Sequence, residues 1–142
     1  MPLPDPKPCP VIGYTYLWQD QARTGREEGA KDRPCAIVLA VQRQPVGCIV
    51  HVAPITHTRP ALPGDGVELP AGTKARLGLD DQPSWIVTTE LNRFTWPGPD
   101  LRPISRNKPN TFVFGEIPLG ILQKVIAQIR MRGRIAAVGR GG

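Results

Sequence analysis

Prolines and glycines interrupt this chain so often that long helices are ruled out over most of its length. The 142 residues include 17 prolines and 15 glycines. Proline lacks a backbone donor and glycine favours turns, so the segments between them are short. "VIGYTYLWQ" alternates: Ile12, Tyr14, Tyr16 and Trp18 share one face, and Val11, Thr15 and Leu17 the other. That period of two predicts a strand. An apolar strand follows from Pro34, then "VGCIVHVA" over 46–53, with "RQP" as a hairpin connection. "VELP", "SWIVTTELNRFTW" and "TFVFGEI" read as further strands, the second of them bending near Asn92. "AGTKARLGLDD" has room for one helical turn before Gly78.

One segment has the other periodicity. In "PLGILQKVIAQIRMRG", Leu122, Val125, Ile126 and Ile129 recur at helical spacing. Pro118 suits a helix start and Gly133 an end. The expectation is a mainly β domain of five or six short strands with a C-terminal helix, built as a small, partly open barrel. Residues 1–10, with five prolines, form an extended arm; 11–132 form the domain; 133–142 form a flexible basic tail.

The formal net charge of +6 suits a polyanionic partner. Cys9, Cys35 and Cys48 are an odd set without C-x-x-C spacing, which points to free thiols, a reducing compartment and no metal site. No apolar stretch approaches the roughly 18 residues of a membrane span. The N-terminus lacks a signal peptide's apolar segment, so the expected location is the cytoplasm, without membrane association.

An arginine stands where the second strand begins, in "DRPCAIVLAV", and the third strand runs out into "PITHTR". If these strands form an antiparallel hairpin, Arg33 and Thr56 meet at one rim. The polar loop 20–32 borders that rim through Glu27, Glu28 and Lys31. A guanidinium is a permanent cation whose donor fork suits phosphate, and a threonine hydroxyl can donate to a phosphoryl oxygen. Histidine is the side-chain type suited to proton transfer near neutral pH, so His57 beside Thr56 is a candidate for that role. Arg59 and Arg93 are candidate phosphate contacts. Each has a plainer reading: Arg33 as a charge that deters edge pairing, Thr56 as a turn cap, His57 and Arg59 as exposed loop residues. His51 reads as structural. Trp18, Trp85 and Trp96 read as core or dimer contacts. Arg130, Arg132, Arg134 and Arg140 form a basic cluster open to acidic partners.

"RPCAIVL" followed by "PITHT", with "YLWQDQARTGREEGAKDRP" before and "LGLDDQPSWIVTTELNRFTWPGPDL" after, resembles the MazF/PemK family of toxin–antitoxin ribonucleases, the PemK-like growth inhibitors in particular. The likeness runs from about Ile12 to Ile129. It implies an SH3-like barrel of the CcdB/MazF type, usually a homodimer. It implies metal-independent cleavage of single-stranded RNA by 2′-hydroxyl attack on the adjacent phosphate, with no cofactor. The family's catalytic arginine and threonine fall on Arg33 and Thr56. Its loop acid falls near Glu28, a second candidate for proton transfer, and Lys31, Arg59 and Arg93 are the expected RNA contacts. An acidic antitoxin is the expected partner. The chain departs from the family where some members carry an aspartate late in the fourth strand; Thr89 and Glu90 occupy that region. Two other functions remain open: a CcdB-like topoisomerase poison, and a non-catalytic SH3-like module that binds nucleic acid or protein.

Overall fold

The computed structural model describes residues 7–19, 32–43, 45–98, 100–104, 111–132 and 136–139. Its strands are β1 (Pro10–Thr15), β2 (Asp32–Arg43), β3 (Gly47–Thr56), β4 (Gly66–Glu68), β5 (Trp85–Val87), β6 (Glu90–Thr95), β7 (Val113–Glu116) and β8 (Ala136–Gly139). Its helices are α1 (Ala71–Leu77) and α2 (Leu119–Arg132), with a 3₁₀ turn at Pro63–Asp65. The strands form one largely antiparallel sheet. From one edge the order is β7, β1, β2, β3. There β3 divides its free side between two neighbours: Ile49–Val52 pair with β6, and Ile55–Thr56 pair with β5. β5 continues to β4, and β6 pairs in parallel with β8. Among the described residues no ladder joins β4 to β7, so the sheet stays open. Helix α1 packs on β7, and α2 on β4 and β2.

Each face of the sheet has its own core. Val11, Val38, Ile55, Val67 and Ile86 meet Leu77 of α1 and Ile121, Leu122 and Val125 of α2. Ile126 and Ile129 pack partly against the same cluster, completing the helical stripe. On the other face, Ile12, Tyr14, Ile37, Val50, Val52 and Phe94 cluster with Leu101, and Phe112 packs against them. Tyr14 stacks on Phe94 at 4.9 Å. β1 is therefore buried on both faces, along all six residues.

Local structure departs from the simple period of two where side chains capture backbone groups. The first strand stops at Thr15 rather than running to Gln19. The buried Asn92 side chain accepts from Leu17 N–H at 2.9 Å and donates to Leu17 C=O at 2.8 Å. Glu90 accepts from Gln19 N–H at 2.8 Å and from the Tyr16 hydroxyl at 3.2 Å. Burial, above all, and Glu90 push the Tyr16 phenol far up, so it remains a neutral donor. The segment 84–96 breaks at Thr88–Thr89, not at Asn92. Thr88 N–H donates to Asp65 C=O at 3.0 Å. Its hydroxyl lies 2.7 Å from Gln128 Oε1 on α2 and 3.2 Å from Gly64 C=O. Thr88 is thereby drawn out of the ladder and ties the turn to the helix. Thr88→Val is expected to cost about 1–2 kcal/mol, a buried hydrogen bond's worth, as a shifted urea midpoint with unchanged slope.

Two further expectations change. One helical turn was expected in 71–81; the structure has seven helical residues, closed by Gly78 in the left-handed region (φ 71°). The tail was expected to be flexible over 133–142; Ala136–Gly139 instead line β6 in parallel register, Glu90 opposite Ala136 through Arg93 opposite Gly139. The outer side of β6 offers unpaired backbone groups, and these four residues take them. The N-terminal arm is also anchored before Pro10 begins β1: Cys9 N–H donates to Ile37 C=O at 3.0 Å and Cys9 C=O accepts from Ile117 N–H at 2.9 Å. All three cysteines are free, with Cys35 and Cys48 buried. No helix among the described residues is long and apolar enough to cross a membrane.

Candidate functional site

The β2–β3 ladder sets Cys35 opposite Pro54, Ala36 opposite Ala53 and Ile37 opposite Val52. Extending this register by two residues brings Arg33 across from Thr56, and both line one cleft of about 470 Å³. Trp18, His57, Asp80 and Ser84 line it too. Arg33 and Thr56 therefore meet at one rim, as an antiparallel hairpin requires, and His57 lies with them.

Arg33 is the second residue of β2, opposite Tyr14 of β1. Its guanidinium carbon lies 5.1 Å from the centroid of the Trp18 ring, a cation–π contact. Trp18 is positioned from behind, because Asn92 and Glu90 pin the residues on either side of it. The Arg33 Nε is buried and has no hydrogen-bond partner among the described residues. Its neighbour Asp32 is occupied elsewhere: it accepts from the Thr15 hydroxyl at 2.8 Å and lies 3.7 Å from Arg102 Nε. The charge at the cleft is thus held on an aromatic face, with its adjacent carboxylate turned to other partners.

Thr56 ends β3, paired with Trp85. Its Oγ1 accepts from Thr58 N–H at 3.1 Å, so the capping role foreseen for it is real. That bond uses a lone pair and leaves the hydroxyl hydrogen available to a ligand. His57 follows, with Nε2 at 2.8 Å and 3.1 Å from the two oxygens of Asp80. Asp80 comes from the loop after α1. Gly78 closes that helix with N–H bonds to the Ala75 and Lys74 carbonyls, and the chain then turns Leu79 and Asp80 into the cleft. The Lys74 ammonium, itself buried, binds Asp80 Oδ1 at 3.0 Å and also the Gln82 carbonyl. Lys74's hydrogen bond above all, with Gln82 N–H and the neighbouring His57, holds the Asp80 carboxyl below the usual range.

The other candidates divide. Arg59 lines an adjoining depression of about 440 Å³ that shares Trp18, Thr56 and Thr58 with the cleft, and Thr89 lies there too. Arg93 is not part of this site. It stands on β6 opposite His51, in a separate depression with Leu39, Val41 and Ile49. Burial and the Arg93 charge hold the His51 pKa below its ordinary value, and its Nδ1 is buried without a hydrogen-bond partner among the described residues. Glu28 and Lys31 lie outside the described residues, as do Glu27, Arg134 and Arg140. Glu90 is an anchor for Tyr16 and Gln19. Arg132 pairs with Asp65 at 2.9 Å.

Sequence reasoning missed Trp18 as a support for Arg33, and missed Asp80, Lys74 and Ser84. The glycine after "TKARL" signals a helix end. Nothing in the linear spacing says that the residues beyond it return to His57.

No protein-family model matches this chain, and a comparison with curated proteins finds no match.

Proposed function

We propose that this protein is an endoribonuclease that cuts single-stranded RNA without a metal ion, as a toxin of the MazF/PemK type. One observation carries the proposal: Arg33 and Thr56, from different strands, line the same cleft, and the Arg33 guanidinium rests on the Trp18 ring. The motif likeness and the +6 charge add support. An SH3-like barrel of the CcdB/MazF type is the finer reading of the open, mainly antiparallel sheet with its late helix.

In this reading the 2′-hydroxyl oxygen of RNA attacks the adjacent phosphorus and the 5′-oxygen leaves. Negative charge grows on the non-bridging oxygens as the five-coordinate phosphorus forms. Arg33 donates to them, and Thr56 adds a neutral donor. Trp18 limits the rotamers of Arg33, so little ordering remains to be done when the phosphate arrives. The depression bearing Arg59 adjoins the cleft, sharing Trp18, Thr56 and Thr58 with it, and extends the groove. Two copies forming a homodimer, and an acidic antitoxin segment lying over the groove, complete the proposed biology.

The test is incubation of a mixed-sequence single-stranded RNA, and DNA of the same sequence, with the protein in EDTA. The RNA is expected to be cut and the DNA to survive. RNA left intact would contradict the proposal. Trp18→Ala is expected to slow cleavage roughly fivefold to tenfold, in line with about 1 kcal/mol for the lost contact to the cation. A Trp18→Ala rate equal to wild type would remove Trp18 from the account.

A further inference from the structure

We propose that His57 is the residue that takes the proton from the attacking hydroxyl, and that Asp80, itself held by Lys74, fixes the ring so that Nδ1 does so; this rests on the ribonuclease reading. His57 sits beside Thr56 in the cleft, its side chain 52% exposed and open to substrate. Its Nε2 faces both oxygens of Asp80. Lys74 and Gln82 N–H both donate to that carboxylate, which keeps it ionised near neutral pH. An ionised carboxylate only accepts, so Nε2 must carry the hydrogen. In the neutral ring, Nδ1 is then the bare nitrogen.

Among the described residues, Asp80 meets the ring and Lys74 of α1 meets Asp80. Asp32 and Arg33 of β2 line the same cleft, and Arg59 lies two residues along the chain. Lys74 shares Asp80 Oδ1 with His57's side of the network, so Asp80 does not meet the ring as a lone negative charge. Asp80 is accordingly a positioning residue; His57 is the one that touches the reacting atom.

The step balances. His57 Nδ1 takes the 2′-hydroxyl proton as the O2′–P bond forms and the P–O5′ bond breaks. The leaving 5′-oxygen takes a proton from water, and the imidazolium returns its proton to the hydroxide so formed. The products are a 2′,3′-cyclic phosphate and a 5′-hydroxyl.

The experiment is a pH–rate profile of single-turnover cleavage of mixed-sequence RNA between about pH 5 and pH 8, on folded variants. A general base must be neutral, so the wild-type rate rises with pH and levels off. His57→Gln is expected to lose about a hundredfold and the rise with it. Asp80→Asn loosens the tautomer, so the plateau slows several-fold and hydrogen appears on Nδ1 of neutral His57. Asp80→Glu restores both in part. A merely structural Asp80 would lower the rate without moving the tautomer, and that result overturns its role. If Arg33→Ala is inactive while His57→Gln keeps the wild-type rate and profile, this inference falls and the ribonuclease reading stands. If the wild type cleaves no RNA, both fall. The chain has only two histidines, so nitrogen-15 NMR reads the tautomer directly in wild-type protein. Hydrogen on Nδ1 of neutral His57 in the wild type would overturn the proposal even if no variant folded.

Discussion

Arg33→Ala is expected to cleave RNA at least a hundredfold more slowly than wild type while keeping its fold. The expected loss is about 3 kcal/mol of transition-state stabilisation, typical of removing one preorganised donor from developing charge. Fold should survive because Arg33 belongs to the rim: the core residues nearby are Cys35, Ala36 and Ile37. Its Nε has no hydrogen bond to lose among the described residues. Removing it takes away that donor together with one cation–π contact to Trp18, so the net change in stability is small. Thr56→Ala should lose less, since a neutral donor contributes less than a charged one, and Thr56 also caps the Thr58 turn. Rates are read under single-turnover conditions, with circular dichroism and melting temperature as the check on folding. If Arg33→Ala cleaves at the wild-type rate, the cleft has been assigned to the wrong residue.

Gly13→Ala is expected to destabilise the protein by about 3 kcal/mol, lowering the melting temperature by roughly 10 °C. Gly13 lies mid-strand in β1, and the backbone at Arg102 and at Phe112 packs directly on it. Gly13 N–H donates to Phe112 C=O at 2.9 Å, and Gly13 C=O accepts from Arg102 N–H at 2.8 Å. A Cβ at position 13 would sit 2.2 Å from the Arg102 carbonyl oxygen. That is backbone, which cannot swing aside as a side chain would. The backbone packed on Gly13 must lift, weakening both hydrogen bonds and uncovering Leu101 over Tyr14. Gly72→Ala is the control: it sits in α1 with nothing within 4 Å of an added Cβ, and should leave stability unchanged or slightly raised. Equal melting of Gly13→Ala and wild type would show that this contact is not as close as described.

Much of the framework is legible in local pattern. Alternation marks β1 and β3, and the arginine–proline pair marks the entrance to β2. The helical stripe of Leu122, Val125, Ile126 and Ile129 reads directly as a face packed on the sheet. The meeting of Arg33 with Thr56 also follows, because an antiparallel hairpin leaves little freedom in which ends adjoin. What is not legible depends on contacts distant in sequence. Thr88 reads as a strand residue until the turn at Gly64–Asp65 and Gln128 of α2 claim it. The tail's Ala136–Gly139 has little strand pattern of its own and is ordered by the free side of β6. Asp80 looks like one of two loop aspartates; only the fold places it against His57 and Lys74. Arg93 looks as suitable for phosphate as Arg59, yet its strand carries it to His51 instead.

The most direct test of the central claim is the mass of the RNA fragments produced in EDTA. Attack by the 2′-hydroxyl predicts upstream fragments ending in a 2′,3′-cyclic phosphate and downstream fragments beginning with a 5′-hydroxyl, both formed at least a hundredfold more slowly with Arg33→Ala. Fragments ending in a 3′-hydroxyl and beginning with a 5′-phosphate, or RNA that stays whole, would contradict it.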